Sequence, residues 1–259
     1  MQTERLPPRL RPSFAFSVPM MLELLPTRRG GAAENMAVDF LLLQRYPHAA
    51  APRFRHYGWR APSCTFGYSQ KIAFVRAALP PGETPDLCRR PTGGGIVDHR
   101  DDWTYALVIP RGHPLEDVRA TQSYREVHEC LAAALRRQGV PAATKHACEP
   151  PAEPGAGCGP AGVCFQRAEL YDVIHEPTGA KIAGAAQKRN KHGLLFQGSL
   201  WRPAVRAALD EEKLLEDFTA LLAAALGLPA GPVPWPEFAE DEVDALTEQY
   251  ASPEWIAYR

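Results

Sequence analysis

Strand-forming segments in this chain follow one another across turns of a few residues, an order that argues against a regular strand-helix-strand repeat. Residues 53–57 and 64–68 read as strands around the turn Trp59-Arg60-Ala61-Pro62, and 86–90 and 96–99 flank Pro91-Thr92-Gly93-Gly94-Gly95. A segment rich in aromatic and branched residues, 103–109, comes directly after, and such residues suit a pleated, buried surface. Further along, 170–175 and 181–186 predict a hairpin across Glu176-Pro177-Thr178-Gly179, followed by a strand over 194–201. Residues 21–25 add a short strand ahead of a turn at Thr27-Arg28-Arg29-Gly30-Gly31. Sheets assembled this way, with helices laid against them, make the expected class α+β.

Helical spacing is confined to a few stretches. Over 34–46 the residues Met36, Ala37, Phe40, Leu41 and Leu43 recur on one face, and Pro47 ends the pattern because it has no N–H to continue it. Over 118–138, Tyr124, Val127, Leu131 and Leu135 stand three or four apart before Gly139, an amphipathic helix with a glycine stop. Residues 211–226 and 240–250 supply two more.

Composition narrows the function classes. The chain has 259 residues, 45% of them hydrophobic, enough for a substantial core. Its 29 basic residues balance 30 acidic ones, so net charge offers no case for a nucleic-acid partner. No stretch reaches the roughly 18 apolar residues that span a bilayer; the apolar run over 14–25 is broken by Pro19 and Glu23. Residues 1–20, rich in Arg and Pro, are expected to be a flexible leader, with Met20 or Met21 as an alternative translation start, and 21–259 a single domain. The six cysteines, Cys64, Cys88, Cys130, Cys148, Cys158 and Cys164, form no CxxC pair, which fits thiols in a reducing cytoplasm and no structural metal. The spacing of His146, Cys148 and Cys158 matches no standard zinc pattern.

Two segments carry the chemistry. In the first, Arg89 and Arg90 precede Thr92-Gly93-Gly94-Gly95, and His99 follows shortly after. Three glycines permit positive φ and close approach of backbone N–H groups to an anion, although a flexible hairpin turn needs the same residues. In the second, a loop holding Gly155, Gly157, Gly159 and Gly162 with Pro150, Pro151, Pro154 and Pro160 leads into Cys164 and then to Lys181. An ammonium near a thiol raises its thiolate fraction and stabilises charge developing on an acyl oxygen. Gly184, Ala185 and Ala186 after it leave room for a straight alkyl chain. A buried structural cysteine and a solvated lysine are the plainer readings of the same residues. His99, His146 and His175 are candidate bases or structural histidines, and Arg189-Asn190-Lys191-His192 is a charged hairpin tip, solvated or docking an acidic partner. Trp59, Trp103 and Trp201 read as core or pocket wall.

Several stretches, taken in order, resemble the biotin/lipoyl protein ligase superfamily, and within it the lipoate ligase and octanoyltransferase branch. They are Glu34-Asn35-Met36-Ala37-Val38-Asp39; Arg55-His56-Tyr57-Gly58-Trp59 through Pro62, Gly67 and Gln70; Arg89-Arg90-Pro91-Thr92-Gly93-Gly94-Gly95 with Val97 and His99; and Lys181-Ile182-Ala183-Gly184-Ala185-Ala186-Gln187 with Gln197-Gly198-Ser199-Leu200. The ending Tyr250-Ala251-Ser252-Pro253-Glu254-Trp255 also resembles the family tail, so the likeness covers about residues 21–256.

The resemblance implies a ligase-like catalytic domain of mixed, mostly antiparallel sheets flanked by helices. It also implies that Lys181 contacts the acyl carbonyl, that Cys164 carries a thioester as in the cysteine-dependent octanoyltransferases, and that no cofactor is required. The tract Asp101-Asp102-Trp103-Thr104-Tyr105 looks like the transferase side of the branch. Substrate-binding residues carried over are Arg89, Gly93, Gly94, Gly95, His99, Gly184, Ala185 and Gln187. The implied donor is an acyl carrier protein, and the implied acceptor is a lysine of a lipoyl domain or of the glycine-cleavage H protein. An ATP-dependent lipoate-protein ligase, with the two arginines and the glycine turn on phosphate, is the alternative activity. A non-catalytic acyl- or carrier-binding protein is the alternative outside enzymes.

Overall fold

The computed structural model describes residues 20–44, 51–147, 167–239 and 241–258, so Cys148, Cys158 and Cys164, with 1–19 of the expected leader, lie outside the described residues. The strands are β1 (Leu22–Gly30), β2 (Arg53–Trp59), β3 (Ser63–Phe66), β4 (Asp86–Arg89), β5 (Ile96–Asp98), β6 (Asp102–Pro110), β7 (Ala142–Thr144), β8 (Val173–His175), β9 (Lys181–Asn190), β10 (Gly193–Trp201) and β11 (Ala230–Pro232). The helices are α1 (Ala32–Gln44), α2 (Ile72–Ala78), α3 (Pro114–Asp117), α4 (Ala120–Arg137), α5 (Arg202–Val205), α6 (Glu211–Leu226), α7 (Glu242–Ala251) and α8 (Pro253–Ile256).

Eight strands form one sheet in the order β11-β1-β2-β6-β10-β9-β8-β7, and three form a second in the order β4-β3-β5. From β2 to β7 every neighbouring pair in the large sheet is antiparallel. The β1–β2 and β1–β11 pairs are parallel, because α1 carries the chain back across the sheet between β1 and β2 and a parallel pair needs such a crossover. The α+β expectation of mixed, mostly antiparallel sheets with flanking helices holds.

The central strand β6 is buried on both faces, and its residues sort by parity. Trp103, Tyr105, Leu107 and Ile109 pack with Phe54, Phe196, Leu131, Leu135 and Phe218 under α4 and α6. Ala106 and Val108 pack on the opposite face with Met36, Leu42 and Leu43 of α1, Tyr57 and Tyr250. Helix α1 is buried nearly all round, since it lies between the large sheet and α7.

Several expectations need correction. Of the turn predicted at Thr27-Arg28-Arg29-Gly30-Gly31, all but Gly31 is the second half of β1, which resumes pairing with β2 at Arg28 after an irregularity spanning Pro26. The strands on either side of the glycine turn do not pair with each other; β3 lies between them, parallel to β4 and antiparallel to β5. Short elements α2, β7 and β11 had no periodic signal of their own.

Candidate active site

Because β3 lies between β4 and β5, the chain leaving Arg89 must cross the end of β3 before it returns at Ile96. The glycine stretch makes that crossing close to the backbone: the N–H of Tyr68 donates to Thr92 O at 2.8 Å and that of Gly67 to Gly95 O at 3.2 Å. A Cβ on Gly67 would stand 2.0 Å from Gly94 O, and Gly94 itself has φ +91°, a region that favours glycine. The loop turns carbonyls, not N–H groups, toward the neighbouring arginine. Arg90 donates to Gly93 O and Gly95 O, both at 2.9 Å, and to Thr65 Oγ1 at 2.8 Å. Thr92 is tied down as well, donating to Gln197 Oε1 at 2.7 Å. Gln197 Nε2 in turn donates to Asp39 at 2.6 Å, and Asp39 also meets Arg55 at 2.9 Å and the Tyr57 hydroxyl at 3.0 Å. Burial pushes the Asp39 carboxyl up from its ordinary value even though these partners oppose it.

Between this loop and the large sheet lies a cavity. Its floor is the β9–β10 pair, where Gly184 stands opposite Ser199, Ala185 opposite Gly198 and Ala186 opposite Gln197. Small side chains on adjacent strands leave a trough that larger ones would fill. Met36, Tyr57, Val97 and Thr104 close the sides, with Arg90, Gly94, His99 and Lys181 on the polar wall. Gly198 is forced by packing from the opposite side, since a Cβ there would sit 2.2 Å from the Tyr105 ring.

Lys181 opens β9 and folds its side chain back over Gly184, where a Cβ would lie 2.5 Å from Cε and 2.6 Å from Nζ. Its ammonium pairs with Asp172 at 2.7 Å, and the two side chains are only 7% and 8% exposed. Gly184 therefore makes room for the lysine stem as well as for a ligand.

His99 sits at the end of a buried polar chain. Its Nδ1 meets Asp102 at 2.5 Å and its Nε2 meets Thr65 Oγ1 at 2.7 Å, while the Trp59 ring stacks on it at 3.9 Å between centroids. Asp102 also accepts from Thr104 Oγ1 at 2.8 Å and from Ser199. Burial resists the charge on Asp102, but His99 beside it and these donors outweigh burial and hold the carboxyl below its ordinary value.

Of the residues expected from sequence, Lys181, Gly94, His99, Gly184 and Ala185 line this cavity, while Gly93 and Gly95 do not line it but hold Arg90, which does, through their carbonyls. Arg89 and Gln187 do not line it. Arg89 is fully buried and donates to Tyr68 O, Gln70 O, Trp255 O and Ile256 O, so it clasps the end of the chain. Gln187 faces the other side of β9 and bonds Ser123 and Ala120 O of α4. His146 and His175 bond Thr144 and Thr178 away from the cavity. Arg189, read as part of a charged tip, is pinned to Glu116 O, Val118 O and Ser123. Cys164 lies outside the described residues. No group of three or more His, Cys, Asp or Glu among the described residues is arranged to hold a metal, and no helix among them is long and apolar enough to cross a membrane. Thr65 and Ser199, which line the cavity, and Asp172, which pairs with its lysine, were not singled out as site residues from sequence, because only the folded chain brings them together.

The arrangement has relatives. The chain is similar to the octanoyltransferase LipM of Kyrpidia tusciae, 33% identical over 181 residues that cover 68% of this chain and 64% of that protein, just under two thirds of its length. The LipM of an Exiguobacterium species is 27% identical over 274 residues, covering 90% of this chain and 96% of that one. A putative lipoate protein ligase from T. acidophilum with bound lipoic acid superposes with a TM-score of 0.68 at 18% identity, covering 93% of this chain and 99% of the other, a likeness of fold. The family model described as Lipoyl protein ligase A/B catalytic domain matches residues 31–207, well over half of the sequence, and the protein belongs to that family.

Proposed function

We propose that this protein is an octanoyltransferase of protein lipoylation, taking an octanoyl group from an acyl carrier protein through a thioester on Cys164 to a lysine of a lipoyl domain or the glycine-cleavage H protein. The observation that carries the reading is the buried ammonium of Lys181 on the wall of a mostly apolar cavity. A cavity of this kind accepts an alkyl chain and offers its one lysine to the carbonyl at the end of that chain. The similarity to proteins named octanoyltransferase supports the same choice.

In the first step the Cys164 thiolate attacks the donor thioester, and Lys181 stabilises the oxyanion. The pantetheine sulfur leaves and takes up a proton. In the second step the neutral ε-amine of the acceptor lysine attacks the acyl-enzyme, loses a proton and forms the amide as the Cys164 thiolate departs. Exchange between thioesters is near balance, and the amide draws the sequence forward without ATP.

A ligase would need a phosphate grip. Both candidate arginines are committed elsewhere, Arg89 to four carbonyls and Arg90 to two carbonyls and Thr65, which favours the transferase.

Intact mass spectrometry of the protein mixed with octanoyl-carrier in the absence of ATP tests the reading. The expected result is a mass gain of one octanoyl group that hydroxylamine releases and that Cys164→Ser abolishes. Normal transfer by Cys164→Ser, or activity only on free octanoate with ATP, overturns it.

A further inference from the structure

The lysine of the cavity is held from outside its own strand. Asp172, one residue before β8, accepts from Lys181 Nζ at 2.7 Å, and the same oxygen accepts the Glu169 N–H at 2.7 Å. Its main chain is fixed on both sides, since Lys145 N–H donates to Asp172 O at 2.9 Å and Tyr171 N–H donates to Lys145 O at 2.8 Å. Tyr171 adopts φ 65°, a left-handed conformation uncommon for a residue with a side chain. The carbonyl that this turn presents meets Nδ1 of His128 at 2.6 Å, and His128 is fully buried on α4. Burial disfavours the charged imidazole, so Nδ1 carries the proton and donates.

We infer that Asp172 is the positioning residue of this site, keeping Lys181 charged and aimed across Gly184 into the cavity, with His128 holding Asp172 in place through the Tyr171 turn. The inference rests on the reading of Lys181 as the group that binds the acyl oxygen. A buried ammonium without a counter-charge either loses its proton or turns out of the site, and a neutral amine stabilises an oxyanion far less. The other ionisable groups around the pair are Tyr124 and His128 on α4, Tyr105 on β6 and Arg90 across the cavity. Burial favours the neutral form of both phenols and of the imidazole. Among the described residues, Asp172 therefore supplies the negative charge that faces Lys181.

The test uses the full chain labelled with 13C at lysine Cε, which gives six lysine signals, with Lys181 assigned from Lys181→Arg. In Asp172→Asn the Lys181 titration midpoint is expected to move down by about one pH unit or more. The alkaline limb of octanoyl transfer should move the same way, with kcat at neutral pH lowered about tenfold and KM nearly unchanged. Asp172→Glu should restore part of kcat. An unmoved Lys181 midpoint in a folded Asp172→Asn protein overturns the inference. Should Asp172→Asn not fold, His128→Leu takes its place: it leaves the carboxylate but frees the Tyr171 turn, so kcat must fall with KM held, and unchanged kcat per folded molecule overturns the inference. If the wild-type protein transfers no octanoyl group, the transfer reading fails, while the NMR midpoint still decides the role of Asp172.

Discussion

The side chain of Lys181 lies directly over Gly184, three residues along the same strand, in the space where a β-carbon would stand 2.5 Å from Cε. The obstructed atoms are the end of a flexible side chain, so a methyl group there displaces the ammonium without disrupting the strand. Gly184→Ala is expected to lower kcat for octanoyl transfer at least tenfold, about 1.4 kcal/mol in the barrier, in a protein that still folds, with a lower thermal midpoint because the buried Asp172 loses its partner. Steady-state kinetics beside a melting curve checks it, and full activity would detach Lys181 from the chemistry.

Gly198, on the neighbouring strand, presents the opposite case. Its missing Cβ is replaced by the rigid, fully buried ring of Tyr105, at 2.2 to 2.4 Å from where the atom would be. Gly198→Ala should therefore destabilise the whole fold by about 1–3 kcal/mol, read as a lower denaturant midpoint at constant slope.

Arg89 is expected to matter for stability and for the end of the chain. Replacing it by Met leaves the carbonyls of Tyr68, Gln70, Trp255 and Ile256 without their charged donor, a loss on the order of 4 kcal/mol. Hydrogen exchange over 252–258 should accelerate more than exchange in β6. Equal protection in the variant and the wild type would contradict the clasp.

Acid should reach the fold through Asp102. His99 and the hydroxyls of Thr104 and Ser199 hold this carboxyl below its ordinary value of 3.8 against the opposing effect of burial. A group whose folded pKa is depressed contributes stability above the unfolded value, and loses it as pH falls through the folded one. Asp39, raised by burial, has the opposite sign and gains a proton on folding. The free energy of unfolding is expected to fall as pH drops below about 4, and Asp102→Asn should flatten that fall. Denaturant titrations between about pH 2 and pH 5 measure it; identical slopes in the two proteins would acquit Asp102.

Much of this was legible in the residues. The aromatic and branched residues over 103–109 marked β6 as a buried strand, and the structure adds that both of its faces are covered. Likewise, the spacing of Val127, Leu131 and Leu135 marked the buried face of α4. Local periodicity carries such information because it is set by backbone geometry within one element. Residue types alone left the glycine stretch and Lys181 open to plainer readings, and the resemblance of their motifs to a family singled them out; Gly94 and Lys181 both line the cavity.

What the sequence could not decide was which neighbour faces which side. Arg89 and Arg90 are adjacent, yet one clasps the tail and the other braces the glycine loop; Ala186 lines the cavity while Gln187 bonds α4. In a strand this parity depends on register, and register comes from pairing with segments far away in the chain, as Ala186 with Gln197. The position of β3 between the strands that flank the glycines, and the meeting of Asp172 with Lys181 through a left-handed tyrosine, are likewise products of long-range packing. Local propensity determined the elements and the chemical vocabulary, and the tertiary contacts assigned each side chain its side, because a face exists only once its partner strands are in place.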